Sequence, residues 1–408
     1  MVKNRKNNLK AQTKILIVFL VLYALDPMTY GFVFGYLISI LLVAHLLVLK
    51  GLFDRLALSL LLFSGIYALF YATDPSLGSQ FVLIYAFIPT TLYISGKILQ
   101  KELNYDLSAF WLLFFVGFVF SLPGIISILM DISANGFVKI KRDVTNIWTG
   151  ELQSATNVAS GFALNMCIPG LLLLGWKTIQ KKSHQFFLIG VYVVSLICVL
   201  RLGSRTQIAL SVFTVIVAVF YKLRKQSARQ NVGLIFLIFL SVNVAVSYVT
   251  LDTDTELLSA YADRANSQTN SASTAGGRTQ KWEKSIAQMF KEPLGWDLKE
   301  FGFSHNLWLD TARVGGILAL FLLLLFTIGS SKKIYKLYKL HNQPKLLNGQ
   351  LILYCTCFFL SFFVEPILEG YFILFSLFCL TMGFVSTYLE KELQSEQNME
   401  TAIVNDSA

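Results

Sequence analysis

The chain has 408 residues, of which 55% are apolar and 14% charged, with a mean hydropathy of +0.61 and a formal net charge of +10. Soluble domains carry about a quarter charged residues, so a chain this long and this poor in charge cannot cover a water-exposed surface. Much of its solvent must be lipid, which excludes an ordinary soluble enzyme.

A basic N-terminus (Lys3, Arg5, Lys6, Lys10, Lys14) leads into the first apolar run. No small-residue cleavage site follows before the next run, so no cleavable leader is expected. Crossing a hydrocarbon core of about 30 Å takes about 17–25 helical residues. Runs suited to this are predicted at 13–25, 29–49, 56–72, 80–99, 108–130, 157–176, 185–201, 204–221, 233–251, 307–329, 349–365 and 369–388. The first two read as a hairpin split at Asp26-Pro27. The pair 185–221 is divided only by Leu202-Gly203-Ser204, with Arg201 and Arg205 on either side. The expected fold is all-α: a polytopic membrane domain over 1–390 with about twelve spans and one long outer loop, 252–306. Residues 391–408 are expected to form a polar cytoplasmic tail.

Twelve crossings put both termini on one side. That side collects 22 of the 34 basic residues and nets +14, against −4 on the other. The positive-inside rule makes it the cytoplasmic side, and a single missed hairpin leaves this parity intact. The charge excess is therefore a topology signal and says nothing of nucleic acid. The five cysteines (Cys167, Cys198, Cys355, Cys357, Cys379) all lie in apolar runs and read as small buried hydrophobes.

Two outer loops exceed the usual length, 131–156 and 252–306, and loops beyond about 15 residues are functional or disordered. In the second, 262–275, which contains Arg264, is small and polar, a composition expected of a flexible segment. After Gly276-Gly277 and Arg278, Trp282, Ile286 and Phe290 recur every four residues, with Lys281, Glu283, Lys284 and Lys291 on other faces. This predicts an amphipathic helix at the membrane interface, ended by Pro293-Leu294-Gly295-Trp296. Phe301 to Trp308 then leads into the next span.

Several charges stand out on the outer side. Arg201 and Arg205, at the outer ends of adjoining spans, are functional candidates; the alternative is snorkelling to headgroups. Arg278 offers a planar fork of donors suited to phosphate oxygens, or is simply a solvated arginine at a helix start. Of the four histidines, His184 and His341 fall in cytoplasmic loops and His45 near the cytoplasmic end of a span. His305 alone lies on the outer face, at a loop-to-helix junction, where an imidazole can accept a proton from a sugar hydroxyl. Its alternative is a capping role, aided by Asn306. Asp252, Asp254 and Glu256 alternate after a span and are the one metal candidate, with a solvated acidic helix end as the competing reading. There is no HExxH, CxxC pair or Walker loop.

The segment from Gly277-Arg278 through Trp282, Pro293-Leu294-Gly295-Trp296 and Ser304-His305-Asn306-Leu307-Trp308-Leu309-Asp310 to Gly315-Gly316-Ile317 resembles the O-antigen ligase and polysaccharide polymerase superfamily. Gly203-Ser204-Arg205-Thr206 and Asn157-Val158-Ala159 resemble that family's span starts upstream. The likeness covers about 150 to 390; the first five spans match only in hydropathy. It implies a GT-C-like fold and a glycosyltransferase without metal or other cofactor. The donor would be an oligosaccharide on undecaprenyl diphosphate, in the bacterial cytoplasmic membrane with the active loop periplasmic or extracellular. By the resemblance, Arg205 and Arg278 would bind the diphosphate and His305 would activate the acceptor. Arg201, Arg264, Trp282, Trp296, Asn306 and Asp310 would contact substrate. Lys139, Lys141 and Arg142 in the other outer loop could attract the anionic donor or form a solvated patch. Partners implied are an acceptor glycan or glycolipid, membrane lipids, a chain-length regulator and a flippase.

The leading expectation is a polymerase that extends a surface polysaccharide (O-antigen, capsule or exopolysaccharide) from lipid-linked repeat units. The runner-up is a ligase that moves a finished glycan to lipid A-core or protein. A transporter or flippase for a polar lipid belongs to a different class. It would place its ionisable residues near the midplane, whereas the notable charges here gather at the outer face.

Overall fold

A computed structural model describes residues 10–43, 52–103, 105–137, 143–233, 235–236, 278–340 and 345–406, with side chains as far as 398. Most of the predicted span 233–251, the part 252–277 of the loop 252–306 with Arg264 and the acids Asp252, Asp254 and Glu256, the cluster Lys139, Lys141 and Arg142, and also His45 and His341, lie outside the described residues.

The elements in chain order are α1 (Ala11–Leu25), α2 (Gly31–Val43), α3 (Arg55–Tyr71), α4 (Gln80–Glu102), α5 (Asp106–Asn135), β1 (Val144–Thr145), β2 (Leu152–Gln153), α6 (Ala155–Ser160), α7 (Ile168–Gly175), α8 (Lys182–Arg201), α9 (Arg205–Arg224), α10 (Arg278–Lys291), α11 (Leu298–Phe301), α12 (Leu307–Lys339), α13 (Leu346–Val364), α14 (Ile367–Gly370) and α15 (Phe372–Asp406). Seven described helices, α4, α5, α8, α9, α12, α13 and α15, are long and apolar enough to cross a membrane; α1, α2 and α3 are shorter apolar helices. The chain divides into two compact units. One is built from Met1–Val116, Lys281–Lys339 and Phe362–Ala408, the other from Gly117–Gln280 and Leu340–Ser361.

In the first unit, α4 and α15 meet backbone to backbone. A Cβ on Gly96 would collide with the Leu380 carbonyl oxygen, and one on Gly383 with that of Tyr93. Small residues at such a crossing let two helices gain van der Waals contact in lipid, where no hydrophobic force draws them together. Near one end, Tyr67, Tyr71, Tyr85 and Phe372 form an edge-to-face cluster, with Tyr85 4.8 Å from Tyr71 and 5.1 Å from Phe372. There Tyr85 donates to the Leu368 carbonyl and Ser76 to Glu369.

At the opposite end Asp54 caps α3 by accepting from the Ala57 N–H at 2.9 Å. It also accepts from Tyr93, Lys97, Lys333 and Ser386. Burial opposes ionisation of this carboxyl, but the Ala57 N–H and the two lysines outweigh it and hold the group below the usual carboxylate range. Lys391 donates to the Gln100 carbonyl at the same end. These contacts join loops that the predicted alternation of spans puts on one side. Beyond Gly316, α12 runs from Ile317 to Lys339 for about 33 Å at 1.5 Å per residue, close to the thickness of a hydrocarbon core.

In the second unit the predicted span 157–176 is not one helix. It is broken into α6, a turn, a 3-10 segment (Asn165–Cys167) and α7. Pro169 lacks the N–H that a continuous helix would need, and the released groups find other partners. Thr214 donates to the Met166 carbonyl and the Cys357 thiol to that of Ala163; the Asn165 side-chain amide separately bridges Ser121 and Ser195, at 2.8 and 2.9 Å. Non-helical backbone at membrane depth persists only when protein satisfies it in this way. All five cysteines are buried across the two units. Within the segment expected as a polar tail, 391–408, α15 continues to Asp406. After Tyr388 Glu is the commonest residue, and no Gly or Pro stands there to stop the helix.

Candidate active-site loop

The expected amphipathic helix forms as α10. Its Ile286 and Phe290 are exposed, as is Leu294 after it, so the apolar edge is free to meet an interface. Trp282, half-buried on the same stripe, is tied back to the loop: its indole N–H donates to the Ser304 carbonyl at 3.0 Å. Arg278 opens α10 one turn before Trp282, on the same face.

That carbonyl belongs to the turn that carries His305. Asp310, in the first turn of α12, accepts from the Ser304 N–H and hydroxyl, both at 2.8 Å, and from the Asn306 N–H at 3.2 Å. Asn306 caps α12: its side-chain oxygen accepts from the N–H groups of Trp308 and Leu309 at 3.1 and 3.2 Å. Between them His305, half-buried, takes φ = +56°, a left-handed conformation uncommon for a residue with a Cβ. Strained backbone of this kind persists where its surroundings over-determine it, and here Ser304, Asn306, Asp310 and Trp282 do so.

A second contact joins the loop to α12. The Trp296 N–H donates to the Arg313 carbonyl and the Ile317 N–H to the Pro293 carbonyl, both at 2.9 Å. The helix opens at Gly316, with φ = +64° and ψ = −168°, to release these groups. A Cβ at Gly295 would sit 2.6 Å from the Arg313 oxygen, and one at Gly316 would collide with the Pro293 oxygen. The Pro-Leu-Gly-Trp and Gly-Gly-Ile segments are thus two halves of one contact. Trp296 is buried, and its indole N–H has no partner among the described residues.

Sequence reasoning did not single out Arg313. It is buried in α12, ion-paired to Glu369, with its guanidinium 5.5 Å from the centre of the Phe303 ring. An arginine within an apolar run is itself a functional signal, and the signal was there to be read. Glu369 also accepts from Ser76 at 2.7 Å, so the turn between α3 and α4 joins the same cluster.

The other predicted arginines lie in the second unit. Arg201 is buried at the end of α8 and paired with Asp131 of α5 at 2.9 Å; Asn135 donates to the other Asp131 oxygen. Its charge is therefore already matched within the protein. Arg205, half-buried, opens α9 beyond a turn in which Gly203 takes φ = +60°. Among the described residues no three metal-ligating side chains lie together. The first unit therefore gathers Trp282, Trp296, His305, Asn306 and Asp310 into one fixed loop. The second unit sets Arg201 and Arg205 on either side of one tight turn. A comparison with protein-family models finds no match for this chain, and a comparison with curated proteins finds none either.

Proposed function

We propose that this chain is a membrane-embedded glycosyltransferase that extends a surface polysaccharide from repeat units linked to undecaprenyl diphosphate. Twelve spans, with both termini in the cytoplasm, put the loop on the face where such donors are displayed. One observation carries the reading. His305 is held in a strained turn at the head of an apolar helix, fixed from both sides by Asp310 and Trp282. A base in a rigid turn beside an interfacial helix suits a substrate whose sugar is in water and whose tail stays in lipid.

In the proposed reaction, the acceptor hydroxyl oxygen attacks the donor's anomeric carbon and gives its proton to His305. The bond to the carrier's diphosphate oxygen breaks, and the diphosphate leaves with the electron pair. Arg278, carried by the same loop as His305, stabilises that charge. The leaving group is already activated, so charge stabilisation, orientation and a base suffice. Arg201, neutralised by Asp131, positions the turn that presents Arg205.

The test is incubation of purified full-length protein with lipid-linked repeat units. A ladder of lengthening products is expected, lost in His305→Ala and in Arg278→Ala at equal expression. Transfer of a single glycan to a glycolipid acceptor would replace the polymerase with a ligase. Unchanged donor that crosses vesicles would replace both with a transporter.

A further inference from the structure

A groove of about 1370 Å³ opens in the second unit where α7 and α9 end. It lies outside the loop described above, and nothing in the proposed reaction uses it. One wall is apolar, formed by Pro169 and Leu172 to Leu174, with Trp176 at its rim, 50% exposed. The other carries Lys177, Lys222, Arg224 and Lys225, and no carboxylate lines the groove.

Neutral groups of the protein orient two of these cations. Lys222 donates to the Leu173 carbonyl at 2.8 Å. Lys225, buried, donates to the Leu340 carbonyl and sits 5.1 Å from the Tyr221 ring centre. A carbonyl or a ring face orients an ammonium but carries no net negative charge to cancel it. An ammonium has three protons to donate, so one bond to a carbonyl leaves Lys222 able to bind an anion as well. Four formal positive charges around one concavity hold a strong preference for phosphate.

The apolar wall narrows the choice of phosphate compound. Both α8 and α9 are apolar enough to span a membrane, and Phe220, Ile216 and Phe213 on α9 are exposed, as lipid-facing side chains are. Basic pockets between apolar helices near a membrane surface suit anionic headgroups, with an acyl chain along the helix. We propose that this groove is a specific site for an anionic phospholipid, its phosphate among Lys177, Lys222 and Arg224 and an acyl chain along the leucine wall. The proposal is independent of the glycosyltransferase reading, since it uses none of the same residues.

The probe is the full-length protein in phosphatidylcholine bilayers, titrated with phosphatidylglycerol carrying brominated chains, which quench nearby tryptophan. Saturable quenching at low mole fraction is expected, and Trp176→Phe should remove it. The double variant Lys177→Gln/Arg224→Gln changes two exposed side chains, so helicity by circular dichroism should be unchanged. It should raise the half-quenching mole fraction about tenfold, and Lys177→Arg should leave it near that of the wild type. Equal quenching by brominated phosphatidylcholine, or a double variant as sensitive as the wild type, would overturn the site. Inorganic phosphate should not displace the lipid. If it does so at matching concentration, the groove serves a free phosphate and the lipid assignment fails.

Discussion

Asp310 accepts two hydrogen bonds from Ser304, one from its backbone N–H and one from its hydroxyl, both at 2.8 Å. Through them the first turn of α12 dictates the backbone on the N-terminal side of His305. The bond from the Asn306 N–H does the same on the other side. Asp310 thus fixes the turn that carries His305, and in the proposed reaction it would act by positioning the imidazole. In Asp310→Asn one oxygen remains to accept, but an amide group must now face a backbone N–H. We expect transfer to fall about 10- to 100-fold with KM for donor little changed, and stability to fall by about 1–3 kcal/mol. A product ladder as long and as fast as that of the wild type would remove the positioning role.

Glycine is required at position 316 for two separate reasons: its φ is +64°, and the Pro293 carbonyl occupies the space of a Cβ. Gly316→Ala should therefore destabilise the protein by roughly 2 kcal/mol or more and free the Trp296 loop from α12. Gly65, within α3, has nothing within 4 Å of a Cβ. Gly65→Ala should instead stabilise by about 0.5–1 kcal/mol. Thermal melts of both variants in the same detergent check the opposite signs.

The Arg201–Asp131 pair has side-chain exposures of 1% and 4%. Removing one member strands a buried charge, so Arg201→Met should cost about 3–5 kcal/mol. Adding Asp131→Leu should recover most of that loss. We expect transfer activity to return with stability. A double variant that melts like the wild type but transfers nothing would show that Arg201 contacts the substrate directly.

Asp54 receives both Lys97 and Lys333, and Lys97 is 1% exposed. Asp54→Ala removes the cap of α3 and leaves two lysines facing each other. A loss of about 3–5 kcal/mol is expected, much of it recovered by adding Lys97→Met. If the single variant melts within a degree of wild type, this end of the unit is not held by the network.

Asp26, in the turn between α1 and α2, has a carboxyl pushed up to about 6 by burial, against the opposing pull of the Gly31 N–H. The native state therefore holds this proton more tightly than the unfolded chain. Stability falls as pH rises from about 4 to 6 and is level above that. Asp26→Asn keeps an acceptor for Gly31 and removes the charge. It should gain on the order of 2 kcal/mol over wild type at pH 7.5 and nothing at pH 4. Melting temperatures at the two pH values decide the matter; a gain of equal size at both would place its origin elsewhere.

Much of the loop could be read from residue order. The four-residue spacing of Trp282, Ile286 and Phe290 is a local property, and α10 formed where it was expected. The helix start at Asn306 also followed from local chemistry, because a cap needs only a side-chain oxygen and the next two or three N–H groups. The span at 157–176 misled, since hydropathy records that a segment is apolar and is silent on whether Pro169 and Asn165 keep it helical. Arg201 looked like a lone outer charge because its partner, Asp131, lies 70 residues away in sequence.

The sequence by itself determined that this chain is helical and takes lipid as a solvent, because transfer into a bilayer sums over neighbouring residues and each helix satisfies its own backbone. Only the tertiary structure decided which charges are matched and which glycines are indispensable. Those outcomes depend on atoms brought together from distant segments: Asp131 with Arg201, Pro293 with Gly316, Asp54 with Lys333. An ion pair or a backbone contact falls off within a few ångströms, and no local pattern records what will stand at that distance.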